Sequence, residues 1–340
     1  MKAFVLEKYG TPIREVDMPV PAPARNEVLV RMTAAGVNPA DERFRTGEFK
    51  AIFPLELPKI MGGEFAGEIV ELGADATGFA VGERVYGYLD LDTGALSEFI
   101  VADAATVAPA PSSVSLVEAA GLPVAARTAW QAMVEMGKVR SGQTVLIHGG
   151  TGGVGSIAIQ LAKHLGCTVA TTVSTSNIEA ARELGADIVI DYRREDLARS
   201  LAGTPVDFVL DTQGGETLNA SLGVLRRGGI AIGISGPPDP DFARRVGVNP
   251  LVRLVIRAMS ARVRRRARKL GVTYRFLFIS PDGTALRQFA ALVDEGAVRP
   301  VIDRVYPFEQ STDALDQALA GGNRGKVLVS TDPESVTTRG

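Results

Sequence analysis

The sequence predicts an α/β protein of two domains, in which a β-rich part precedes a doubly wound parallel sheet. Residues 1–110 contain short apolar runs separated by Gly, Pro and Asp, and several strands at short spacing indicate a barrel or a sandwich. Between residues 145 and 233, strand-like and helix-like segments alternate, which is typical of a parallel sheet. The 340 residues suffice for two domains of ordinary size.

The first part of the chain is predicted to consist mostly of strands. The predicted strands are Lys2–Leu6, Glu27–Met32, Ala66–Leu72, Arg84–Tyr88 and Ser97–Val101. The pattern changes at Ser115, because Leu116–Ala120 and Ala125–Met136 have the apolar spacing of helices.

A glycine-rich turn opens the second part. The apolar run Val145–Ile147 predicts a strand and Ser156–Leu165 predicts a helix. Between them, Gly150, Gly152 and Gly155 have the G-x-G-x-x-G spacing of a dinucleotide-binding turn. The first glycine permits a tight turn, the second lets a pyrophosphate approach the backbone, and the third lets helix and strand pack closely. The helix N-terminus then offers free N–H groups to the phosphates.

Strands and helices continue to alternate after this turn. The predicted strands are Thr168–Val173, Ile188–Asp191, Val206–Asp211 and Gly229–Gly233, and the predicted helices are Ile178–Leu184, Asp196–Leu201 and Glu216–Leu225. After a short strand at Tyr274–Ile279 the alternation ends, and the remaining elements are Thr284–Glu295, Arg299–Tyr306, Ser311–Ala320 and Lys326–Ser330. We therefore expect the chain to return to the first domain there.

Composition argues against several classes of protein. The net charge of −2 argues against a general attraction to nucleic acid. The one cysteine, Cys167, excludes a disulfide within the chain, and residues 1–7 lack the pattern of a signal peptide, so we expect a cytoplasmic protein. One cysteine and two histidines are too few for a four-cysteine zinc lobe. We see no apolar run long enough to cross a bilayer.

Several motifs occur in an order that resembles a known superfamily. They are Ala35–Asp41, Gly62–Gly67, Val81–Tyr86, Gly94–Phe99, the glycine turn and Gly322–Lys326. Over nearly its whole length the sequence resembles the medium-chain dehydrogenase/reductase superfamily, and more narrowly its zinc-independent quinone oxidoreductase branch, the zeta-crystallin-like enzymes. The resemblance implies a GroES-like catalytic domain at residues 1–123, interrupted by a Rossmann NADP-binding domain at 124–280 and completed by 281–340. It also implies an active cleft between the two domains. The residues from about 240 to 270 are strongly basic, and we interpret them as an insertion in the Rossmann domain.

The resemblance further implies a site without a metal. Zinc-dependent relatives carry a metal-binding Cys at the position of Asn38 and a His at that of Gly63, and Glu64 alone cannot hold a metal. In the zinc-free branch, the resemblance places Asn38 in the cleft and Thr128 near the nicotinamide, and Asp41 lines the same wall. These three residues are the predicted catalytic residues.

We expect NADPH to be the cofactor. An acid that binds an adenosine ribose is expected ~20 residues after the glycine turn, but residues 173–177 contain no carboxylate. Hydroxyl groups there suit a 2′-phosphate, although Ser174 and Thr175 alternatively just form a turn, and Tyr192, Arg193 and Arg194 complete the predicted pocket. The predicted cofactor-binding residues are Gly150, Thr151, Gly152, Gly153, Val154, Gly155, Ser174, Thr175, Tyr192, Thr212, Ile234, Ser235, Phe276, Phe278 and Lys326.

These features favour NADPH-dependent reduction of quinones or α,β-unsaturated carbonyls by direct hydride transfer, in a homodimer as the resemblance implies. The alternative is an NADPH-binding sensor or structural protein with little turnover. It stays open because no proton donor is evident and because Arg43 stands where zinc-free members often have Tyr. A serine hydrolase is not favoured, since Ile234-Ser-Gly236 is not a G-x-S-x-G elbow.

The segment Arg244–Lys269 is strongly basic and is predicted to form one amphipathic helix. Its apolar residues at helical spacing are Leu251, Leu254, Val255, Met259 and Val263. We favour an insertion packed on the Rossmann domain with its arginines in water, and we therefore expect no membrane association. Peripheral contact with an anionic membrane, or with an acidic partner, is the alternative.

Overall fold

A computed structural model describes residues 1–336. The strands are β1 (Lys2–Leu6), β2 (Arg14–Asp17), β3 (Glu27–Val37), β4 (Lys59–Ile60), β5 (Glu64–Leu72), β6 (Arg84–Tyr88), β7 (Phe99–Asp103), β8 (Val107–Pro109), β9 (Thr144–His148), β10 (Thr168–Val173), β11 (Ile188–Asp191), β12 (Val206–Asp211), β13 (Leu225–Gly233), β14 (Thr273–Phe276), β15 (Ile302–Pro307) and β16 (Lys326–Ser330).

The helices connect these strands. The α-helices are α1 (Pro39–Thr46), α2 (Leu116–Ala120), α3 (Pro123–Trp130), α4 (Gly153–His164), α5 (Ile178–Glu183), α6 (Leu197–Ser200), α7 (Gly215–Val224), α8 (Pro240–Arg245), α9 (Pro250–Met259), α10 (Ala261–Leu270), α11 (Gly283–Asp294) and α12 (Ser311–Ala320). Among the described residues, no helix combines the length and the apolar character that a membrane-spanning segment requires.

Several predicted elements differ in their bounds from the observed ones, and the physical reason is plain for three of them. Strand β3 continues past Met32 to Val37, because its second half pairs with β5 on one side and β16 on the other. The helix predicted at Ala125–Met136 is α-helical only to Trp130 and then forms a π-helical turn, in which Gly137 N–H bonds to the carbonyl of Ala132. The helix predicted to end at Leu225 ends one residue earlier, since Leu225 already pairs in β13.

The chain divides into two compact units. Unit 1 contains Met1–Arg127 and the chain from Ser280 onward, and unit 2 contains Thr128–Ile279. The sequence placed the corresponding boundaries near residues 123 and 280. The last four residues of the predicted return segment, 337–340, lie outside the described residues.

Unit 1 is built around a seven-stranded sheet. Six strands follow the order β15-β16-β3-β5-β6-β8, and β7 also pairs with β3. Strands β15 and β16 come from the returning chain, and β16 runs antiparallel to β3. The returning helix α11 is attached in the core, because the buried hydroxyl of Tyr86 donates to the carbonyl of Leu286 at 2.6 Å. The C-terminal segment therefore supplies residues to the same sheet as Asn38 and Glu64.

Unit 2 contains a six-stranded sheet in the order β11-β10-β9-β12-β13-β14, with parallel pairing throughout. This order is that of a doubly wound dinucleotide-binding fold, in which ligands bind outside the carboxyl ends of the strands. Strands β9, β10 and β12 are almost entirely buried, as expected for a parallel sheet covered on both faces. The carboxyl edge of this sheet is where the predicted cofactor residues are expected.

The prediction of one helix at Arg244–Lys269 is wrong. The segment contains the last two residues of α8, then α9 and nearly all of α10. Gly247 adopts a left-handed φ of 69° after α8, and Asn249 then starts α9 by accepting a hydrogen bond from the N–H of Val252. Pro250 follows at the first helical position, where its missing N–H costs nothing. The sequence pattern did not reveal the break at Ser260, because the helical spacing of apolar residues continues from Met259 to Val263 across it.

Candidate functional site

A buried carboxylate organises the predicted catalytic residues of unit 1. Glu64 begins β5 and has no solvent exposure. Its Oε1 accepts hydrogen bonds from Asn38 Nδ2, at 2.9 Å, and from Lys326 Nζ. Its Oε2 accepts the N–H of Val124, at 2.7 Å, near the start of α3. The carboxylate is therefore both paired with a cation and hydrogen-bonded, as burial of a charge requires.

The sheet register brings these groups together. Gly36 of β3 lies opposite Glu64 of β5, and Asn38 follows directly after β3. A Cβ atom at Gly36 would lie only 2.4 Å from Glu64 Oε1, so glycine leaves the space that the carboxylate fills. Lys326 is the first residue of β16, which pairs with the same end of β3.

The amide of Asn38 is held on both sides. Its Oδ1 accepts a hydrogen bond from Lys326 Nζ, while its Nδ2 donates to Glu64. Within residues 1–336, Asn38 Nδ2 has one hydrogen-bond acceptor, Glu64 Oε1. Because an amide nitrogen carries two hydrogens, its second N–H can donate to another acceptor. The ammonium on Oδ1 also polarises the amide, because linked hydrogen bonds strengthen one another. Asn38 thus presents an oriented and strengthened N–H donor.

Asp41 belongs to the same cluster. It lies in α1 and is buried, and its Oδ2 accepts the backbone N–H of Asn38 at 2.8 Å. Burial raises the pKa of Asp41 from 3.8 to about 7, and the positive charge of Lys326 partly opposes this rise. Near neutral pH, Asp41 therefore exists as a mixture of carboxylic acid and carboxylate.

Thr128, the third predicted catalytic residue, is buried in helix α3 and belongs to unit 2. It lies one helical turn beyond Val124, whose N–H binds Glu64. Residues four apart occupy the same face of a helix, so Thr128 and Val124 share a face of α3.

The glycine turn of unit 2 has the geometry of a phosphate cradle. A Cβ atom at Gly150 would lie 2.1 Å from Thr171 Oγ1, and one at Gly155 would lie 2.1 Å from the carbonyl oxygen of Gly149. A Cβ at Gly152 would instead meet only that carbonyl oxygen, at 3.3 Å. The first and third glycines therefore allow close packing, and the second borders free space.

The start of α4 supplies the hydrogen-bond donors. The first backbone hydrogen bond of this helix runs from Ser156 N–H to the carbonyl of Gly152. The N–H groups of Gly153, Val154 and Gly155 precede it, so they have no acceptor within the helix. They are available to an anion, and the turn fits the pyrophosphate of a dinucleotide.

Most of the remaining predicted cofactor residues lie at the carboxyl edge of the same sheet. They follow or end successive strands: Ser174 and Thr175 after β10, Tyr192 after β11, Thr212 after β12, Ile234 and Ser235 after β13, Phe276 at the end of β14 and Phe278 just beyond it. Thr212 Oγ1 donates to the carbonyl of His148 at 2.9 Å, which ties the ends of β12 and β9 together. Lys326 is not among them, because it lies in unit 1 beside Asn38 and Glu64.

Comparison with known proteins identifies the family. The alcohol dehydrogenase GroES-like domain family matches residues 24–112, and the zinc-binding dehydrogenase family matches residues 184–329. A mitochondrial NAD(P)H oxidoreductase of Danio rerio is 34% identical, with 97% of this chain and 91% of the relative covered. The chain belongs to the medium-chain dehydrogenase/reductase superfamily, in its quinone oxidoreductase branch.

Two further relatives narrow the position within the superfamily. A 2-methylene-furan-3-one reductase of Solanum lycopersicum is 32% identical, with 98% of this chain and 80% of the relative covered. The solved quinone oxidoreductase of Coxiella burnetii superposes with a TM-score of 0.83 at 30% identity, covering 98% of this chain and 99% of that one. The predicted fold class is thereby confirmed, and this member of the superfamily is an oxidoreductase enzyme that uses a nicotinamide cofactor.

The sequence analysis missed Asp191, which lies beside the predicted 2′-phosphate pocket of this superfamily member. Thr175 Oγ1 donates to Asp191 Oδ2 at 2.5 Å, and this hydrogen bond lowers the pKa of Asp191. Arg193 N–H also binds the carboxylate, and Arg194 Nε lies 3.7 Å from it. Neighbouring parallel strands end at the same edge of a sheet. The position of Asp191 at the end of β11 therefore indicated that it would lie close to the end of β10.

His148 is excluded as a catalytic base by its surroundings. It is buried at the end of β9, with Nδ1 bonded to Thr172 Oγ1 at 2.9 Å and Nε2 bonded to Ser221 Oγ at 2.7 Å. Burial lowers the pKa of His148 to about 4, so the ring is neutral at physiological pH. Both ring nitrogens are occupied by structural hydrogen bonds.

Substituting the glycines of the turn should separate its packing role from its binding role. Gly155→Ala is expected to lower the free energy of unfolding by about 1–3 kcal/mol, because the methyl group overlaps the backbone of the turn. Gly152→Ala should leave stability within about 0.5 kcal/mol of the wild type. It should weaken NADPH binding at least about tenfold, since the methyl group enters the space next to the pyrophosphate. Urea denaturation and fluorescence titration measure the two effects, and wild-type affinity in Gly152→Ala would contradict the assignment.

The raised pKa of Asp41 predicts a pH-dependent stability. Between pH 3.8 and about 7, the folded protein holds a proton on Asp41 that the unfolded chain has lost. The stabilising contribution is therefore complete below pH 3.8 and is lost as the pH rises through 7. Relative to Asp41→Asn, the wild type should lose on the order of 4 kcal/mol of unfolding free energy across this window. Denaturation curves of both proteins over this range test this, and a constant difference would contradict burial of an ionisable Asp41.

Proposed function

We propose that the protein reduces quinones or α,β-unsaturated carbonyl compounds, with NADPH as the hydride donor and without zinc. The observation that carries this proposal is the buried network of Asn38, Glu64 and Lys326, because it orients one strengthened amide donor. The names of the relatives, a quinone oxidoreductase and a furanone reductase, support the same acceptor chemistry.

The residues of unit 2 hold the cofactor in this proposal. The N–H groups of Gly153, Val154 and Gly155 would bind the pyrophosphate, and the buried Thr128 would orient the nicotinamide ring. NADPH, when bound, supplies a hydride to an electron-poor carbon or to a quinone ring. Holding the reactants in place can itself remove ~7–11 kcal/mol of the barrier, so orientation is a sufficient role for much of the chain.

The residues of unit 1 act on the acceptor. Asn38 Nδ2 donates a hydrogen bond to the carbonyl oxygen of the acceptor, where negative charge develops during reduction. Lys326 withdraws electron density from the amide through Oδ1 and keeps Asn38 in one orientation. Asp41, beside Asn38, is partly protonated near neutral pH, and solvent supplies the proton that completes the reduction.

The surroundings of Glu64 support the proposed zinc independence. The ammonium of Lys326 already binds Glu64 Oε1 and Asn38 Oδ1, so a second cation at these oxygens would be repelled. Gly63 contributes no side chain, and no group of three or more His, Cys, Asp or Glu suited to a metal occurs within residues 1–336. A conjugated acceptor is already polarised, so it needs less of the Lewis-acid assistance that zinc supplies to alcohol dehydrogenases.

The proposal predicts a preference for conjugated acceptors. NADPH oxidation should be faster with quinones and enones than with unconjugated ketones, and incubation with a chelator should not change the rate. Asn38→Ala should lower kcat/KM for these acceptors by about 100-fold, since it removes the donor to the developing oxyanion. Asn26→Ala, which removes an exposed amide bonded to Asp103, is the matched control and should leave the rate unchanged.

Three outcomes would contradict this prediction. Faster turnover of simple ketones would overturn the reaction class, and loss of activity with the chelator would overturn zinc independence. If NADPH binds but no acceptor causes its oxidation, the alternative of an NADPH-binding sensor replaces the enzyme proposal.

We also infer that NADPH binds more tightly than NADH. Arg193 and Arg194 are both exposed, with Arg193 over the ring of Tyr192 and Arg194 near Asp191. Their two positive charges outnumber the single negative charge of the Asp191 carboxylate. A charge-assisted hydrogen bond to phosphate contributes about 1.5–3 kcal/mol, so NADPH should bind at least tenfold more tightly.

Variants of this pocket should change the ratio of the two dissociation constants in opposite directions. Replacing Arg193 and Arg194 with Gln should bring the ratio of the NADH and NADPH constants close to one. Asp191→Asn should raise that ratio, because it removes the carboxylate that repels a 2′-phosphate. Arg199→Gln, a substitution of a nearby exposed arginine on α6, serves as the control. Equal constants for the two cofactors in the wild-type protein would refute the preference.

A further inference from the structure

Helices α9 and α10, residues 250–270, form a surface feature that the oxidoreductase function does not use. We call them the basic helix pair. They are joined at Ser260, a buried residue whose hydroxyl donates to the carbonyl of Ile256 at 2.9 Å. The pair ends at Gly271, which adopts a left-handed φ of 70°. Its two helices are ten residues each and belong entirely to unit 2.

The inner face of the basic helix pair is anchored to unit 2. Ile256, Ser260 and Ala267 are buried, and α10 packs on α7 and β14. The sequence analysis favoured a segment packed on the Rossmann domain, and this packing applies to one face of the helix pair. The same anchoring determines which side chains point outward.

The outer face of α9 carries an apolar stripe. Leu251, Leu254, Val255 and Met259 are 72%, 63%, 51% and 57% exposed. Their spacing of three and four residues places them along one side of the helix. Four large aliphatic side chains on one ten-residue helix form a contiguous patch, and such patches on soluble proteins mark interaction sites.

The stripe lies within a region of dense positive charge. Residues 250–270 contain no acid and eight cations, which are Arg253, Arg257, Arg262, Arg264, Arg265, Arg266, Arg268 and Lys269. In the described part of the chain, none of these eight has a carboxylate within ion-pair distance, whereas Arg244 and Arg275 just outside the pair both contact Asp241. The chain as a whole has a net charge of −2, so this charge is local.

A groove between the two helices is lined by both apolar and positively charged side chains. It has a volume of about 340 Å3, and its lining residues are Leu254, Ala258, Ala261, Arg257, Arg264, Arg265 and Arg268. Aliphatic side chains and guanidinium groups thus share one surface. A phosphate group with an attached hydrocarbon chain matches that combination.

Two other occupants explain only part of these observations. In a two-fold contact between copies, the same patch meets itself, so the arginines of one copy would face those of the other and repel them. A nucleic acid would use the cations but gives no role to four exposed aliphatic side chains. An anionic bilayer satisfies both, because amphipathic helices bury apolar side chains at the headgroup boundary while cations bind lipid phosphates.

We propose that the basic helix pair docks the protein on the surface of an anionic lipid bilayer. The stripe of α9 enters the boundary between headgroups and acyl chains, and the arginines of both helices bind the phosphates. The docking is peripheral and leaves the rest of unit 2 in water. It is independent of the proposed reductase activity.

Vesicle sedimentation tests this proposal. Wild-type protein should sediment with vesicles of phosphatidylcholine and phosphatidylserine, and not with vesicles of phosphatidylcholine alone. Leu254→Ser combined with Met259→Ser keeps every charge and should weaken binding at least tenfold. Arg265→Gln and Arg268→Gln should each weaken it by about fivefold, the effect of one cation near an anionic surface. Raising the salt concentration should weaken binding further, because it screens exposed charges.

Matched controls separate the stripe from general effects. Val81→Ser and Leu319→Ser remove exposed aliphatic side chains of unit 1, and Arg199→Gln removes an exposed arginine elsewhere in unit 2. These variants should sediment like the wild type. All variants should retain NADPH binding and cooperative thermal unfolding, which shows that unit 2 is folded.

Several results would overturn the proposal. The first is failure of the wild type to bind phosphatidylserine vesicles at low salt. The second is equal vesicle binding by the stripe variant, which would reduce the attraction to charge alone. A wild-type oligomer that the stripe variant dissociates would assign the stripe to contact between copies. Tight binding of an RNA oligonucleotide by the wild type and the stripe variant alike would assign the arginines to nucleic acid.

Discussion

The buried carboxylate of Glu64 is the constraint around which unit 1 is assembled. A charge removed from water must be paired and hydrogen-bonded, and here its partners are the residue after β3, the first residue of β16 and the start of α3. These segments are far apart in the chain. The need to pair one buried carboxylate therefore brings the early and the late parts of the sequence together. Because Asn38 is one of the partners, the same requirement orients the residue proposed to bind the acceptor.

In unit 2 the expected anion is bound by backbone groups, and no cation is buried to match its charge. The glycine turn presents backbone N–H groups at a helix start, and its three glycines contribute in two ways. Gly150 and Gly155 are required for packing, whereas Gly152 leaves free space. Near the expected ribose, Asp191 and Thr175 bind each other. The proposed preference for a 2′-phosphate depends on the balance between that carboxylate and the charges of Arg193 and Arg194.

In the basic helix pair, the local charge differs strongly from the net charge of the whole chain. A net charge of −2 suggests no strong attraction to polyanions, yet the twenty-one residues 250–270 carry eight cations and no acid. The pair is fixed to unit 2 by Ile256, Ser260 and Ala267, which turns the aliphatic stripe and the arginines outward together. Anchoring by buried residues therefore creates the surface, and in our proposal the arginines determine which partner it binds.

The sequence by itself determined the fold class, the glycine turn and the carboxyl-edge residues, because strand and helix periodicity and glycine spacing are local properties. It also placed Asn38 and Asp41 in one motif, three residues apart. Only the tertiary structure decided that Lys326 binds Asn38 and Glu64, that Asp191 lies against Thr175, and that α9 and α10 are separate helices with an exposed stripe. Strand register and the burial of one face set these contacts, and both depend on residues distant in the chain.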